Sequence, residues 1–507
     1  MELLFTTGNS LLQISPVSGE LPIDLKKRLE SRLSYTHMSF NHGYTHGRHG
    51  GVTSEVRTVF KYDVNGNLVC PRGFAKRLKA ELTSSGFGVS SVDLDADYHS
   101  GPAFELDLDR LGKYIQLRDK QDECLAAIFS NRDGLIVAPT GFGKSFMFSA
   151  ICMAYPNAKI HIVTRRVDVM KRLYGSLTKL IPSLGMVGSG SNQWGRVTVI
   201  TADSMHKIGH YGEQHADILL YDEAHEAVAP SYQTELGKYT KTRKFGFTAS
   251  PDGRMDGAHF LLEAIFGPRI FEMSYGEAVN AELVVPIKYE FIPIACPNPC
   301  GDLKGVPKER WGIWRNEHRN EAIAAKAREY DDNEQVLIMV KSVEHAVYLK
   351  QSLPEFDLCY DTMDPVDYDR YVKKGLLTAP PMTPATRDNM RINFEKGSLK
   401  KVISTDVWST GVDFAQLSVL IRADARSSKI VDIQAPGRVA RKHDASGKKF
   451  GIVIDCMDSF DYSFLNRSRS RKLSYKKMGW EEVTSLDSKD LPEGFEEIEV
   501  MEEAFDD

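Results

Sequence analysis

"LIVAPTGFGKSF", Leu135 to Phe146, drives an apolar run into a glycine-rich turn that closes on a lysine and a serine. A short apolar run bounded by such a turn reads as a buried strand. Glycines at 141 and 143 let the backbone bend so that successive N–H groups converge on one point. With Ala138 in place of the first glycine, the stretch fits the phosphate-loop pattern that leads into a helix. Its chemistry suits a nucleoside triphosphate. The N–H groups from Thr140 through Gly141 and Gly143 to Lys144 would surround the β-phosphate, Lys144 would reach the β and γ oxygens, and Ser145 would ligate Mg²⁺.

Working outward, short β-branched runs alternate with helical patterns after Leu135: "GLIVAP", "IHIVT", "VTVIT", "ILLYDEAH" and "KFGFTAS". A second series follows: "QVLIMV", "KKVISTDV", "VLIRADA" and "FGIVIDC". That rhythm predicts two α/β units in series, each with a parallel sheet and crossover helices. The Pro- and Gly-punctuated "VVPIKYEFIPIACPNPCGDLKG" between them reads as a linker. Before it all, Asn65-Gly66 signals a hairpin followed by a helix, hence a small α+β domain. The expected domains are 1–105, 106–284, 285–480, and an acidic disordered tail, 481–507.

A chain of 507 residues, 42% apolar and 26% charged, has the composition of an ordinary soluble multidomain protein. No apolar run reaches the roughly 20 residues of a membrane span, and the N-terminus lacks a basic flank and cleavage site. A cytoplasmic location is the expectation. Seven scattered cysteines without a CxxC pair argue against structural zinc. "NHGYTHGRHGG", with His42, His46 and His49, reads as a loop because no cysteine or carboxylate flanks it. From Glu481 onward the chain carries 12 acidic residues and one lysine, net −11 against −5 for the whole, so the body is at +6. A basic body fits a nucleic-acid partner.

"ILLYDEAH" sets Asp222 and Glu223 at the C-terminal end of a strand, where open α/β sheets bind ligands. Asp222 there suits Mg²⁺ and Glu223 suits a water that attacks the γ-phosphate. With this motif in place, "APTGFGKS", "YDEAH", "FTASP" and "QAPGRVAR", in that order, resemble motifs I, II, III and VI of superfamily 2 helicases and translocases. "LRDKQ", "VTRR", "VTVITADSM", "LIMVKS" and "VISTDVWSTGVDF" resemble the remaining motifs, over about residues 114 to 475.

The resemblance implies two RecA-like domains that clamp ATP in one cleft and nucleic acid across another. It implies that Arg438 and Arg441, three apart on an expected helix face, act as arginine fingers, and that Asp413 ligates near the nucleotide or pairs with them. It also implies that Gln121 reads the adenine edge with Arg118 stacked on the ring. Thr248 and Ser250 would couple the two clefts. Thr164, Arg165, Thr201, Lys341, Ser342 and Thr405 fall in motifs that grip a phosphate backbone, a task for hydroxyls and cations.

"FTASPDGRMDGAHFLLEAIFGPRIFEMSYGEAV" and "RNEAIAA" are most similar to the group with nucleotide-excision-repair helicases, type I restriction motors and phage branch-migration helicases. The implied activity is ATP-dependent translocation on branched DNA, by a monomer that other replication or recombination proteins can join. The alternative is an RNA-dependent ATPase of the DEAH type. Two basic clusters are expected to meet DNA: Arg72, Lys76, Arg77 and Lys79 in the leading domain, and Arg467 to Lys477 near the end.

Overall fold

The structure, a computed structural model, describes residues 1–40, 52–210, 215–251, 257–408, 414–443 and 447–483. Its centre is an eight-stranded sheet. The phosphate-loop strand Gly134–Val137 lies between Arg243–Thr248 and Arg269–Glu272, and Ile218–Asp222 lies beyond Arg243–Thr248. Strand pairs here are parallel apart from the edge hairpin Leu184–Gly188 with Ser191–Gln193. Strands such as Ile160–Thr164 and Val197–Thr201 are buried at every position, as expected where helices cover both faces. This parallel arrangement sends the ends of Val137, Thr164, Thr201, Asp222 and Thr248 to one rim.

The second unit is a seven-stranded sheet, parallel throughout, with Val336–Met339 between Lys401–Ser404 and Val419–Arg422. The expected linker is only partly one. Ile287–Ile294 forms a full strand, paired in parallel with Gly451–Asp458 over eight residues. Its Ile287, Tyr289 and Ile294 are buried, and that burial outweighs the prolines on either side. The start of the expected tail is also structured: Glu481–Glu482 pairs with Lys288 and Tyr289, while Trp480 packs on Tyr275 and Tyr475. Residues 484–507 and His42, His46 and His49 lie outside the described residues.

Charge fills part of the second core. Arg422 pairs with Asp424 and Asp432, Arg471 with Asp455, and Arg319 with Asp458, all fully buried. Arg426 extends this network outward from Asp424 to Asp406. The network takes part of the basic run 467–477 away from any DNA face, while Arg469, Lys476 and Lys477 remain exposed. On the helix Tyr462–Lys477, Arg471 is interior, Arg467 pairs with Glu309 and Lys472 with Glu482.

The leading domain is a five-stranded sheet with the helices Ile23–Arg32 and Ala75–Ser84. The Asn65-Gly66 hairpin is present between Lys61–Tyr62 and Leu68–Pro71. Two of the four basic residues expected on DNA, Arg72 and Arg77, serve docking instead, while Lys76 and Lys79 are exposed. Arg72 pairs with Asp133 and Arg77 with Glu263 at 2.9 Å, both residues of the first motor unit. Phe74 stacks on Phe260 at 5.0 Å. Gly73 lies so close that a Cβ would come within 1.8 Å of the Glu263 carbonyl oxygen. Lys79 donates to Ser91.

Candidate active site

The phosphate loop closes between the strand Gly134–Val137 and the helix Lys144–Ala154. Gly141 and Gly143 hold φ of +98° and +93°, a region that side chains disfavour. A Cβ on Gly141 would meet Val284 at 2.7 Å, and one on Gly143 would meet the Gln121 amide nitrogen at 2.8 Å. Gln121 is buried and both ends of its amide are engaged. Its Oε1 accepts from the Arg118 N–H at 2.9 Å and its Nε2 donates to the Phe142 carbonyl at 2.8 Å. Gln121 therefore fixes the loop from behind, while Arg118 itself is exposed.

Across the rim, Lys144 Nζ donates to Glu223 Oε1 at 3.1 Å. Glu223 holds a left-handed backbone, φ +52°, which turns its carboxylate back toward the loop. His225 approaches Glu223 at 3.5 Å and shares a 3.1 Å hydrogen bond with Thr248, whose hydroxyl also accepts from the Ser250 N–H. The acidic motif and the "FTASP" turn are thereby tied together. Burial, with Glu223 next door, pushes Asp222 up to about 6. Burial also works against Glu223, but Lys144 and His225 outweigh it and hold that carboxyl below its usual range.

The second unit closes this site. Gln434 Nε2 donates to Glu223 Oε2 at 3.2 Å. A Cβ on Gly437 would sit 3.3 Å from Thr140, so motif VI lies against the phosphate loop. The single helix expected to carry both arginines is interrupted. Lys429–Gln434 is helical, Pro436–Arg438 is a 3₁₀ turn, and Arg441 pairs in antiparallel fashion with Val284. Pro436 has no N–H to continue the helical bonds. Both arginines still reach the same place: Arg438 is buried, and Arg441 Cγ is 4.0 Å from a Cβ position on Gly141. Burial, helped by Arg166 and Arg172, pushes Arg438 down to about 9; burial, then Arg172, pushes Arg441 down to about 10. Both remain charged at neutral pH. Such desolvated cations favour an entering anion.

Mg²⁺ is implied by this chemistry, and the donor set fits it. Among the described residues no group of three His, Cys, Asp or Glu side chains could cage a metal ion. Ser145 and Asp222 instead offer one hydroxyl and one carboxylate beside a phosphate cradle, the sparse protein ligation that Mg²⁺ takes alongside phosphate oxygens and water.

The residues expected on a nucleic-acid backbone separate into two groups. Thr164, Thr201 and Thr405 are buried, and Thr201 donates to Ser204. Ser342 caps the helix Val343–Ser352 by accepting from the His345 N–H. Arg165, paired with Glu226, and Lys341 stand at the surface. Between the units a cleft of about 620 Å³ is lined by Arg166, Lys171, Arg172, Arg387 and Arg391, with Asp168, Asp361, Asp388 and Glu395 among them. Arg166 crosses it to the Val407 carbonyl at 3.3 Å. Asp413 lies outside the described residues. Sequence reasoning passed over Gln434, though it heads the very motif from which the arginines were read, because an amide carries no charge signal.

The profile described as "Type III restriction enzyme, res subunit" matches residues 114–253, and "Helicase conserved C-terminal domain" matches 319–443. The chain is a superfamily 2 helicase. It is 25% identical over 379 residues to "DNA 3'-5' translocase XPB2" of Sulfurisphaera tokodaii, covering 70% of this helicase and 85% of that relative. It is also 25% identical over 251 residues to "ATP-dependent DNA helicase uvsW" of Enterobacteria phage T4, covering 48% and 46%. Among solved structures, S. cerevisiae Dbp5 bound to RNA and ADP BeF3 shares the fold, with TM-score 0.51 and 15% identity over 76% of the helicase and 95% of that chain. The helicase is thus an ATP-hydrolysing enzyme built on tandem RecA-like domains. Among its described residues, no helix is long and apolar enough to cross a membrane.

Proposed function

We propose that this helicase is an ATP-driven DNA translocase that remodels branched DNA, such as forks and Holliday junctions, in recombination, repair or replication. The observation that carries the motor reading is the pair of contacts across the cleft: Gln434 to Glu223 on the nucleotide side, and Arg166 to Val407 beside Arg165 and Thr405. Closure of the two units is thereby felt at the hydrolytic carboxylate and at the backbone-gripping motifs together. DNA as the track, and branched DNA as the substrate, are supported by relatives named as DNA translocases and helicases.

Lys144 pairs with Glu223 across the rim. A triphosphate entering the loop takes Lys144 as its partner and releases Glu223, which then orients the attacking water. Gln434 keeps the released carboxylate in place, and Arg438 with Arg441 balances the charge that spreads over the γ-phosphoryl oxygens. Bound Mg²⁺, held by Ser145 and Asp222, would neutralise the β and γ oxygens. The arginines reach the site only from the second unit, so hydrolysis requires closure and product release permits opening. On the outer side, Arg165 and Lys341 contact phosphates, and Thr164, Thr201, Ser342 and Thr405 shape the loops beneath them.

Gel separation of synthetic Holliday junctions and model forks tests this. Wild-type protein with ATP is expected to convert them to linear products, and Glu223→Gln to leave them intact. Conversion of RNA duplexes in place of DNA junctions would favour the RNA-dependent reading.

A further inference from the structure

In the second unit, between the strand Ile287–Ile294 and the helix Glu317–Arg328, a short helix at Gly305–Glu309 widens into a π-helical turn, Arg310–Trp314. The turn is closed by the Arg315 N–H on the Arg310 carbonyl at 2.8 Å. Single π turns are rare and recur at functional positions. In this one, Ile313 and Trp314 are buried while Trp311 is 46% exposed.

A lone exposed tryptophan is unremarkable on a protein surface. Trp311, however, is backed by a cation that is already fixed. The Arg315 guanidinium lies 5.2 Å from the Trp311 ring centre and 5.0 Å from that of Tyr348. Glu344 holds it, with Arg315 Nε at 2.6 Å, and the same carboxylate takes Arg310 Nε at 2.9 Å. Glu344 is buried and lies in the first turn of the helix Val343–Ser352, directly after Lys341 and Ser342. The stack is therefore anchored to the segment read above as a backbone grip. Within the cluster Arg310, Arg315 and Lys341 outnumber Glu344, which favours a polyanion. A ring ordered in advance also loses little conformational freedom on binding.

We propose that Trp311, supported by Arg315, is a stacking platform for an unpaired base of a DNA strand whose phosphates are held near Lys341. This rests on the DNA reading above and adds to it a site for single-stranded arms. Aromatic stacking on a base tolerates any sequence, as a translocase requires.

The test uses full-length protein with forks whose single-stranded arms carry a fluorescent adenine analogue, and with blunt duplex of equal length. Trp311→Ala is expected to lose about tenfold in affinity for the arms, from the usual worth of one stacked base. It should keep wild-type affinity for blunt duplex and wild-type ATPase without nucleic acid, and lose quenching of the analogue. Trp311→Phe should retain most of the affinity and quenching. Wild-type quenching and arm affinity in Trp311→Ala would overturn the platform, as would an equal loss on arms and duplex. If Lys341→Ala loses DNA affinity while Trp311→Ala does not, the DNA reading stands and the platform falls. A wild-type protein that binds neither forks nor duplex overturns both.

Discussion

Glu223 carries two constraints, a left-handed backbone and a pairing with Lys144, and the proposed role would move its carboxylate from that lysine to a water. Glu223→Gln keeps the shape and cannot polarise water. Its turnover is expected to fall by about 10² or more while nucleotide affinity, read by titration of a fluorescent ATP analogue, holds. Lys144→Ala should lose turnover and weaken that affinity together; near-normal hydrolysis in it would remove the phosphate-loop assignment. A different residue governs stability against pH. Lys244, buried where the leading domain meets the motor, donates to Ser10 at 3.0 Å, and burial pushes it down to about 8. Its unfolded value is near 10.4, so the penalty of burying an ammonium is full below about 8 and fades as pH rises toward that value. Lys244→Met should therefore raise the melting temperature at pH 7 and give no gain near pH 10.5. A gain of equal size at both pH values would contradict the titration argument.

Among elements, the leading domain shows what sequence could and could not supply. Its hairpin was legible because Asn65-Gly66 is a local signal. The destination of Arg72 and Arg77 was not, because a cation in a sequence does not announce whether a phosphate or a carboxylate faces it. Asp133 and Glu263, its partners, lie 61 and 186 residues away. The same limit hid Gln434 and the Arg422 to Asp455 network, whereas the phosphate loop and acidic motif were legible because backbone geometry demands glycine and strand ends demand position. Since Arg72 and Asp133 are nearly buried, Arg72→Ala leaves a desolvated carboxylate and should cost about 3 kcal/mol in denaturant unfolding. Deleting residues 1–105 strips Phe74 from Phe260 as well. That truncation is expected to lose ATPase activity through instability; a stable, fully active motor would show that the docking is dispensable.

For the whole molecule, the basic body and the acidic end are expected to have opposite effects on DNA affinity. DNA affinity should fall with salt at a logarithmic slope of about −0.9 per phosphate contact on duplex. Residues 484–507 hold ten acidic residues and one lysine. Removing them should strengthen DNA binding at low salt, with the gain disappearing at high salt. Unchanged binding at low salt would make that segment a bystander to the track.

If closure of two RecA-like units on DNA completes the ATP site with Gln434, Arg438 and Arg441, hydrolysis must depend both on DNA and on those residues. Steady-state ATP hydrolysis measured with duplex DNA, branched DNA and RNA, for wild type and Arg438→Ala, addresses it directly. The wild type should be strongly stimulated by DNA, most by branched DNA and little by RNA, and Arg438→Ala should lose that stimulation by about 10³-fold. Hydrolysis that RNA alone stimulates, or that persists in Arg438→Ala at the wild-type rate, would contradict it.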